Sequence, residues 1–449
     1  MKSDSLPTEL IMEILSRLPS KSIARFHCVS KQWESLFGHA YFRELFVTRS
    51  SAEPRILFAI EKEGLWSIFS VPQRLRPYEK PSSSSSSIVV SAEFHMKFPP
   101  GNRRIDPRRN NGRFPFGYAS GLMYFYGLRN KEMNYHGLHV ICNPKTEQYK
   151  ILPFLAFRYL LNKAYTFFGF DPIDKQFKVL SMQYPSRGVH HRIMTLGTRG
   201  TIWRKIKCPL MHKTMSEGIC VNGVLYYLGE TCKNKNKNKN KKKNNNKYEY
   251  EDEDEEEEEE EYEKFVIICF DVRYEEFKFI YPESFCQLII YKGKLGVIHY
   301  DNVDDAMELL VWVLEDFEEQ EWSKYEYTLR DDKFLPCHVS VVGVTATGEI
   351  VLSMGDYTYK ESFYVFYFNP ERNTLQSVEI KGFGEYHEAL DKLSRVHIFV
   401  DDCSRFYTFA DQVEDLNVND HELLKSSIHA PYVPHQFGPA LMKMMKNQK

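Results

Sequence analysis

The chain has 449 residues, of which 43% are hydrophobic and 14% aromatic, enough for a sizeable core and for two or three domains. A formal net charge of -2 argues against a general nucleic-acid-binding surface, and nine scattered cysteines with no Cys-x-x-Cys pair argue for a reducing compartment rather than a disulfide or metal framework. No stretch approaches the roughly 18 apolar residues of a membrane span and the N-terminus lacks an apolar signal core, so a soluble cytoplasmic or nuclear protein is expected, without a membrane partner.

From Thr8 to Leu18 the apolar residues Leu10, Ile11, Ile14, Leu15 and Leu18 recur at three- and four-residue spacing, which lines them along one side of a helix. Pro7 suits the first turn of that helix, and Pro19 cannot continue it. Ser20 or Ser22 can cap a second helix carrying Ile23, Ala24, Phe26 and His27; Ser30 can cap a third bearing Trp33, Leu36 and Phe37. Three short helices in under about 50 residues bury too little surface to be secure alone, so the unit is expected to complete its core against something else.

The run from Leu6 to Trp33, Leu-Pro-x-Glu-Leu-x-x-Glu-Ile-Leu-x-Arg-Leu-Pro-x-Lys-Ser-Ile-x-Arg-Phe-x-x-Val-Ser-Lys-x-Trp, resembles the F-box of plant F-box proteins nearly position for position. The chief departure is the pair His27-Cys28. In that family the F-box docks onto a Skp-type adaptor, which links it to a cullin scaffold and a ubiquitin-conjugating module. The resemblance implies that Leu6, Pro7, Leu10, Ile14, Leu15, Leu18, Val29 and Trp33 form or support the adaptor-facing surface, within an F-box over residues 1–48. A helical hairpin packed on its own domain is the plainer alternative.

From about Arg55 to Asp402 the pattern changes to short apolar runs separated by turn-forming clusters, which predicts an almost wholly β region. One hairpin form sets Asn-Pro, Asp-Pro or Asp between two such runs: Val140 to Leu152 around Asn143, Phe167 to Leu180 around Asp171, Phe265 to Ile280 around Asp271, and Tyr364 to Ile380 around Asn369. The Asn or Asp bonds its own backbone and gives a connection of roughly four or five residues between antiparallel strands. A second form places glycine in a tight turn, at Gly121, Gly223, Gly293 and Gly348. One hairpin of each kind makes a four-stranded unit of the size of a propeller blade. Five such units fit between Gly117 and Gly382, and a sixth built from Arg55 to Val71 and Val396 to Val400 would close the ring and remove exposed sheet edges.

The plant family often carries an F-box-associated, kelch-like β-propeller, and these repeated hairpins are similar to that domain over nearly its whole length. The expected architecture is thus multidomain α and β: a three-helix F-box, an all-β propeller of six blades over 52–403, and a tail over 404–449. A pair of β-sandwiches is the structural alternative. Three segments fall outside the blades. The serine run at 81–87 and the Lys/Asn-rich then acidic insert at 232–263 are expected as disordered loops, the latter joining two strands of one blade. The tail is expected to be peripheral, with a helix near Asp420 to Lys425.

Catalytic signatures are absent: no Gly-x-Ser-x-Gly elbow, no phosphate loop, no dinucleotide fingerprint and no His-Glu-x-x-His. His190-His191 on a strand would point opposite ways, and the carboxylates Asp301, Asp304 and Asp305 have no second acid placed against them by the sequence. No metal or cofactor is expected, and an enzyme on a propeller scaffold is disfavoured. The resemblance implies a non-catalytic substrate receptor of a Skp-cullin-F-box ubiquitin ligase, the helices gripping the adaptor and the propeller gripping a protein target. The alternative is an F-box protein acting outside a ligase, or a decayed copy that binds the adaptor without a target.

Overall fold

Four helices come first: α1 (Thr8–Leu15), α2 (Ser20–His27), α3 (Lys31–Gly38) and α4 (Ala40–Ala52). The computed structural model describes residues 6–27, 29–62, 65–73, 88–98, 116–130, 133–153, 155, 163–184, 191–197, 202–232, 262–303, 306–330, 339–357, 362–383, 404–412, 424 and 426–427. Pro7 stands at the N-cap of α1 and its carbonyl accepts from the Ile11 N–H at 3.1 Å. Ser30 caps α3 as its sequence predicts, its hydroxyl accepting from the Trp33 N–H at 3.3 Å. The fourth helix is the departure from the three expected. Its Phe42 and Phe46, one turn apart, join Met12, Leu15, Ile23 and Phe37 in a closed helical core, with the Phe37 and Phe42 rings 5.2 Å apart. Arg49 fastens α4 to α1 through the Glu13 carbonyl at 2.7 Å and the Glu13 carboxylate. Part of the core that three helices lack thus comes from the next stretch of the same chain.

The strands that follow form six sheets of four or five strands each. Blade I holds β1 (Arg55–Lys62), β2 (Leu65–Pro72) and β4 (Glu93–Phe98), while β3 (Ile88–Ser91) leaves it for a neighbour. Blade II is β5 (Phe116–Ala119), β6 (Leu122–Asn130), β7 (Met133–Asn143) and β8 (Gln148–Ile151). Blade III is β9 (Lys163–Asp171), β10 (Gln176–Tyr184), β11 (Arg192–Thr195) and β12 (Arg204–Lys205). Blade IV is β13 (His212–Thr214), β14 (Ile219–Val221), β15 (Val224–Cys232), β16 (Tyr262–Asp271) and β17 (Phe277–Ile280). Blade V is β18 (Gln287–Tyr291), β19 (Lys294–Val303), β20 (Ala306–Asp316) and β21 (Glu321–Leu329). Blade VI is β22 (Val339–Val344), β23 (Ile350–Met354), β25 (Phe363–Asn369) and β26 (Thr374–Lys381), with β3 added in parallel at its outer edge. The short β24 (Asp356–Tyr357) and the late β27 (Ser404–Gln412) complete blade I, and β28 (Ser426–Ser427) extends blade II.

Closure of the ring is visible in the packing. Six apolar clusters each fill the space between two neighbouring blades: Trp66 with Phe125, Tyr124 with Phe168, Phe167 with Tyr227, Ile267 with Val297, Met307 with Phe366, and Phe58 with Phe363. Each sheet therefore buries both faces, which is why central strands such as β15 and β23 are apolar on successive residues.

The Asx hairpin recurs in five blades. Asn143, Asp171, Asp271, Asp316 and Asn369 each accept from a backbone N–H two residues on through Oδ1, at 2.8–3.1 Å. Four residues after each stands a residue in the left-handed region: Glu147, Lys175, Glu275, Gln320 and Asn373. Blade V's copy at Asp316 is the one the sequence reading misses. The glycine turns behave as expected, with Ser120-Gly121, Asn222-Gly223 and Lys292-Gly293 all at positive φ, the pairing that a two-residue hairpin requires.

Blade I is built from both chain ends, but by a different strand from the one expected. The strand beside β1 is β27, antiparallel from Arg55↔Gln412 to Glu61↔Arg405, beyond the expected boundary at 403. Val396 to Val400 lies outside the described residues, as do the serine run at 81–87 and residues 233–261 of the insert. The insert's ends are register partners, Cys232↔Tyr262, so it joins two adjacent strands of blade IV. Beyond β27, Leu424 is buried between blades II and III and β28 pairs with β8, so these residues belong to the propeller rather than its periphery. Leu424 is also the one described residue of the helix expected near Asp420 to Lys425, and it is not helical.

Candidate functional site

Strand alternation fixes what lies on each end of the ring. The innermost strand of a blade turns into the second at the same end where the third turns into the fourth, so the glycine turns and the Asx turns share one face. The helices sit on that face: Lys21 of α2 pairs with Glu147 in the Asx turn of blade II, and Val47 of α4 lines the central cavity beside Ser120 and Gly121. The connection from β15 to β16, which carries the charged insert, leaves from the opposite face.

The helical module presents apolar side chains that its own core does not use. Leu6, Leu10 and Ile14 follow one another at four-residue spacing and are 58%, 50% and 58% exposed; Val29 is 67% exposed and Pro7 is exposed beside them in sequence. Two of the eight residues expected on an adaptor-facing surface, Leu18 and Trp33, are partly buried against the helical core. Leu15, expected to form or support that surface, is 8% exposed and lies in the core itself, because helical spacing groups Leu10, Ile14 and Leu15 on one side without saying which edge of that side faces inward. Phe26, partly exposed with its ring 5.7 Å from Trp33, is an apolar surface residue that the motif reading leaves out.

The second site is the axis of the ring, a cavity of about 1350 Å³ walled by β5, β14, β18, β22 and β27. Aromatic rings line it at both ends, Phe116, Tyr118 and Phe409 nearer the helices and Phe285 and Tyr300 at the opposite mouth. Among the described residues that line it, Glu217 and Asp301 are the only acidic side chains, His299 is a third titratable group, and there is neither Lys nor Arg. Burial lifts the Glu217 carboxyl to about 7. The thiols of Cys220 and Cys286 are pushed up by burial to about 11 and about 12, which keeps them protonated and poorly nucleophilic at neutral pH. The Ser284 hydroxyl lies 3.4 Å from His299 Nδ1, with no carboxylate on the other ring nitrogen to complete a triad among the described residues. Nothing in the sequence around Met215 to Gly218 marks Glu217 as a wall residue, since only the ring geometry brings it to the axis.

Elsewhere His191 is buried, while His190, Asp304 and Asp305 lie outside the described residues. Among the described residues no three His, Cys, Asp or Glu side chains are placed to hold a metal ion, and no helix is long and apolar enough to cross a membrane.

Comparison with known proteins bears on both sites. The F-box associated beta propeller domain matches residues 55–238 and 254–413, and the F-box domain matches residues 3–45. An Arabidopsis thaliana F-box protein is 58% identical over 431 residues, covering 96% of this chain and 87% of its own length. Two others from the same plant are 49% and 47% identical, covering 96% and 97% of this chain and 98% and 99% of theirs. Among solved structures, a Pyrococcus horikoshii acylaminoacyl peptidase aligns at a TM-score of 0.33 and 13% identity over 59% of this chain and 38% of its own, too distant to bear on function.

Proposed function

Because the chain belongs to the F-box proteins that carry an F-box associated β-propeller, we propose that it is the substrate receptor of a Skp-cullin-F-box ubiquitin ligase. The helical module docks on a Skp-type adaptor and through it on cullin, and the propeller holds a protein target. The observation that carries this reading is the row Leu6, Leu10 and Ile14, left in solvent by a module whose own core is already closed by Met12, Leu15, Phe42 and Phe46. Burying an exposed apolar side chain of this size contributes about 1.5–3 kcal/mol, so the row is a natural docking edge.

The protein performs no bond chemistry in this scheme. It holds a target lysine near the ubiquitin-loaded enzyme, which turns a bimolecular encounter into an effectively intramolecular one. The arrangement of the fold supports the division of labour: helices occupy one end of the ring, and among the described residues no helix lies at the opposite mouth.

The test uses two variants at adjacent positions. Ile14→Asp strands a charge in the docking edge and is expected to cost at least ~3 kcal/mol of adaptor affinity, over a hundredfold, while the protein stays folded. Leu15→Asp instead disrupts the helical core and removes adaptor binding through unfolding of the module, seen as a loss of helical circular dichroism. Undiminished capture of a Skp-type adaptor by folded Ile14→Asp removes this surface; failure of the unmutated chain to capture any such adaptor removes the ligase reading.

A further inference from the structure

Several carboxylates of this propeller meet a cation. Glu275 is held by Lys178 and Arg204, Glu93 by Arg55, Glu315 by Lys294 and Glu318 by Lys278. The carboxylates of Glu217 and Asp301 do not: they come from neighbouring blades, IV and V, reach the same cavity, and have no hydrogen-bond or ion-pair partner among the described residues. Glu217 lies in the wall just before β14, where desolvation penalises its charge. Asp301 lies exposed near the end of β19, at the mouth away from the helices, where Phe285 and Tyr300 are exposed as well.

We propose that this mouth receives a basic side chain, arginine or lysine, from a target polypeptide, its charge met by Glu217 and Asp301 and its alkyl stem and head laid against Phe285 and Tyr300. The inference rests on the receptor reading above and names the chemistry of the target. Three physical points converge on it. A wall whose described residues include two carboxylates and neither lysine nor arginine focuses a negative field into a low-dielectric cleft and draws cations to it. Exposed aromatic faces add to the attraction through their ring quadrupole, most strongly for a desolvated guanidinium or ammonium. The cavity, about 1350 Å³, exceeds the roughly 300–1,000 Å³ of ordinary small-molecule pockets, which fits a projecting loop or chain segment better than a free amine.

The test takes the full chain co-purified with a Skp-type adaptor. Its probes are fluorescein-labelled, end-blocked Gly-Ser peptides with a central Arg-Ser-Arg, Lys-Ser-Lys, norleucine-Ser-norleucine or Glu-Ser-Glu. The basic peptides are expected to bind at least tenfold tighter than the norleucine peptide, and the acidic one not at all. Glu217→Gln and Asp301→Asn should each weaken the basic peptides about tenfold with the melting temperature unchanged; Asp301, being exposed, tests the site even where Glu217→Gln perturbs folding. Equal binding of the norleucine or acidic peptide, basic binding indifferent to both substitutions, or arginine methylamide binding as tightly as the peptide each overturns the proposal. Loss of adaptor capture with peptide binding intact would instead count against the receptor reading alone.

Discussion

Ending the chain at residue 403 should unfold the propeller, although the cut removes only 46 of the 449 residues. It takes away β27, which pairs with β1 from Arg55↔Gln412 to Glu61↔Arg405 and with β24 at Asp356↔Arg405. The Tyr407 and Phe409 rings, 5.8 and 5.2 Å from Phe116, leave with it, and Tyr407 also packs 5.5 Å from Trp66. Net ladder hydrogen bonds contribute about 1 kcal/mol each, and two half-buried aromatics about 2 kcal/mol each, so the loss is on the order of 10 kcal/mol. That matches the entire stability of a typical domain, about 5–15 kcal/mol. Thermal melts followed by near-ultraviolet circular dichroism would compare chains ending at 403, at 412 and at 449. The first should show no cooperative transition, and the second should retain one, lowered by the loss of Leu424 and β28. Phe409→Ala in the full chain gives the graded version, about 2 kcal/mol and a few degrees. A chain ending at 403 that melts cooperatively at the full-length temperature would refute this account of closure.

Deleting residues 234–260 and joining the ends with a short Gly-Ser turn should change stability by only about 1 kcal/mol, because Cys232 and Tyr262 are already register partners and loop-closure entropy grows slowly with length; a loss of many degrees in the melt would show that the insert is docked. Acid should weaken the fold through two buried histidines, His139 held down to about 3 and His212 to about 4 against an ordinary 6.5. The unfolded chain takes up both protons as pH falls below about 6.5 while the folded chain refuses them, so their contribution is full above that value and is lost as pH drops toward 4 and 3. Glu217, raised to about 7 from 4.5, works in the opposite direction between those values, so the histidine effect is read by comparison. Urea midpoints at pH 6.5 and 5 should fall further for the unmutated chain than for His139→Gln with His212→Gln, and equal falls would contradict the assignment.

The turns were the most legible part of the sequence. At Asn143, Asp171, Asp271 and Asn369 the side chain that bends the backbone is itself the residue one reads, and the structure puts an Asx hairpin at each. Asp316 is hidden because it sits within the acidic run Glu315 to Glu321, which resembles a charged surface segment. The left-handed positions are not legible at all, since Glu147, Lys175 and Gln320 have no intrinsic preference for positive φ and are held there by the hairpin. Helix α4 is hidden for another reason: Tyr41, Phe42, Leu45, Phe46 and Val47 do not gather into one clear stripe, and only Phe42 and Phe46 are buried, against partners the local sequence does not show. At the candidate sites the limit was direction. Spacing found the apolar side of α1 but not which arc is free, so Leu15 was grouped with Leu10 and Ile14; the wall of the ring axis is assembled from separate blades and leaves no local signal at Glu217.

The union of β1 with β27 sets an order in time. Synthesis must add roughly 340 residues between them, which at about 5–20 residues per second takes roughly 20–70 s. The helices preceding Arg55 leave the ribosome early and have their own core, whereas the row of backbone donors and acceptors along β1 waits for nearly the last strand made. During that interval the nascent chain has a bare strand edge, the feature most open to pairing with a neighbouring chain. On the proposed function the helical docking module is complete before the ring exists, and the hazard of misassembly spans the whole interval that separates β1 from β27.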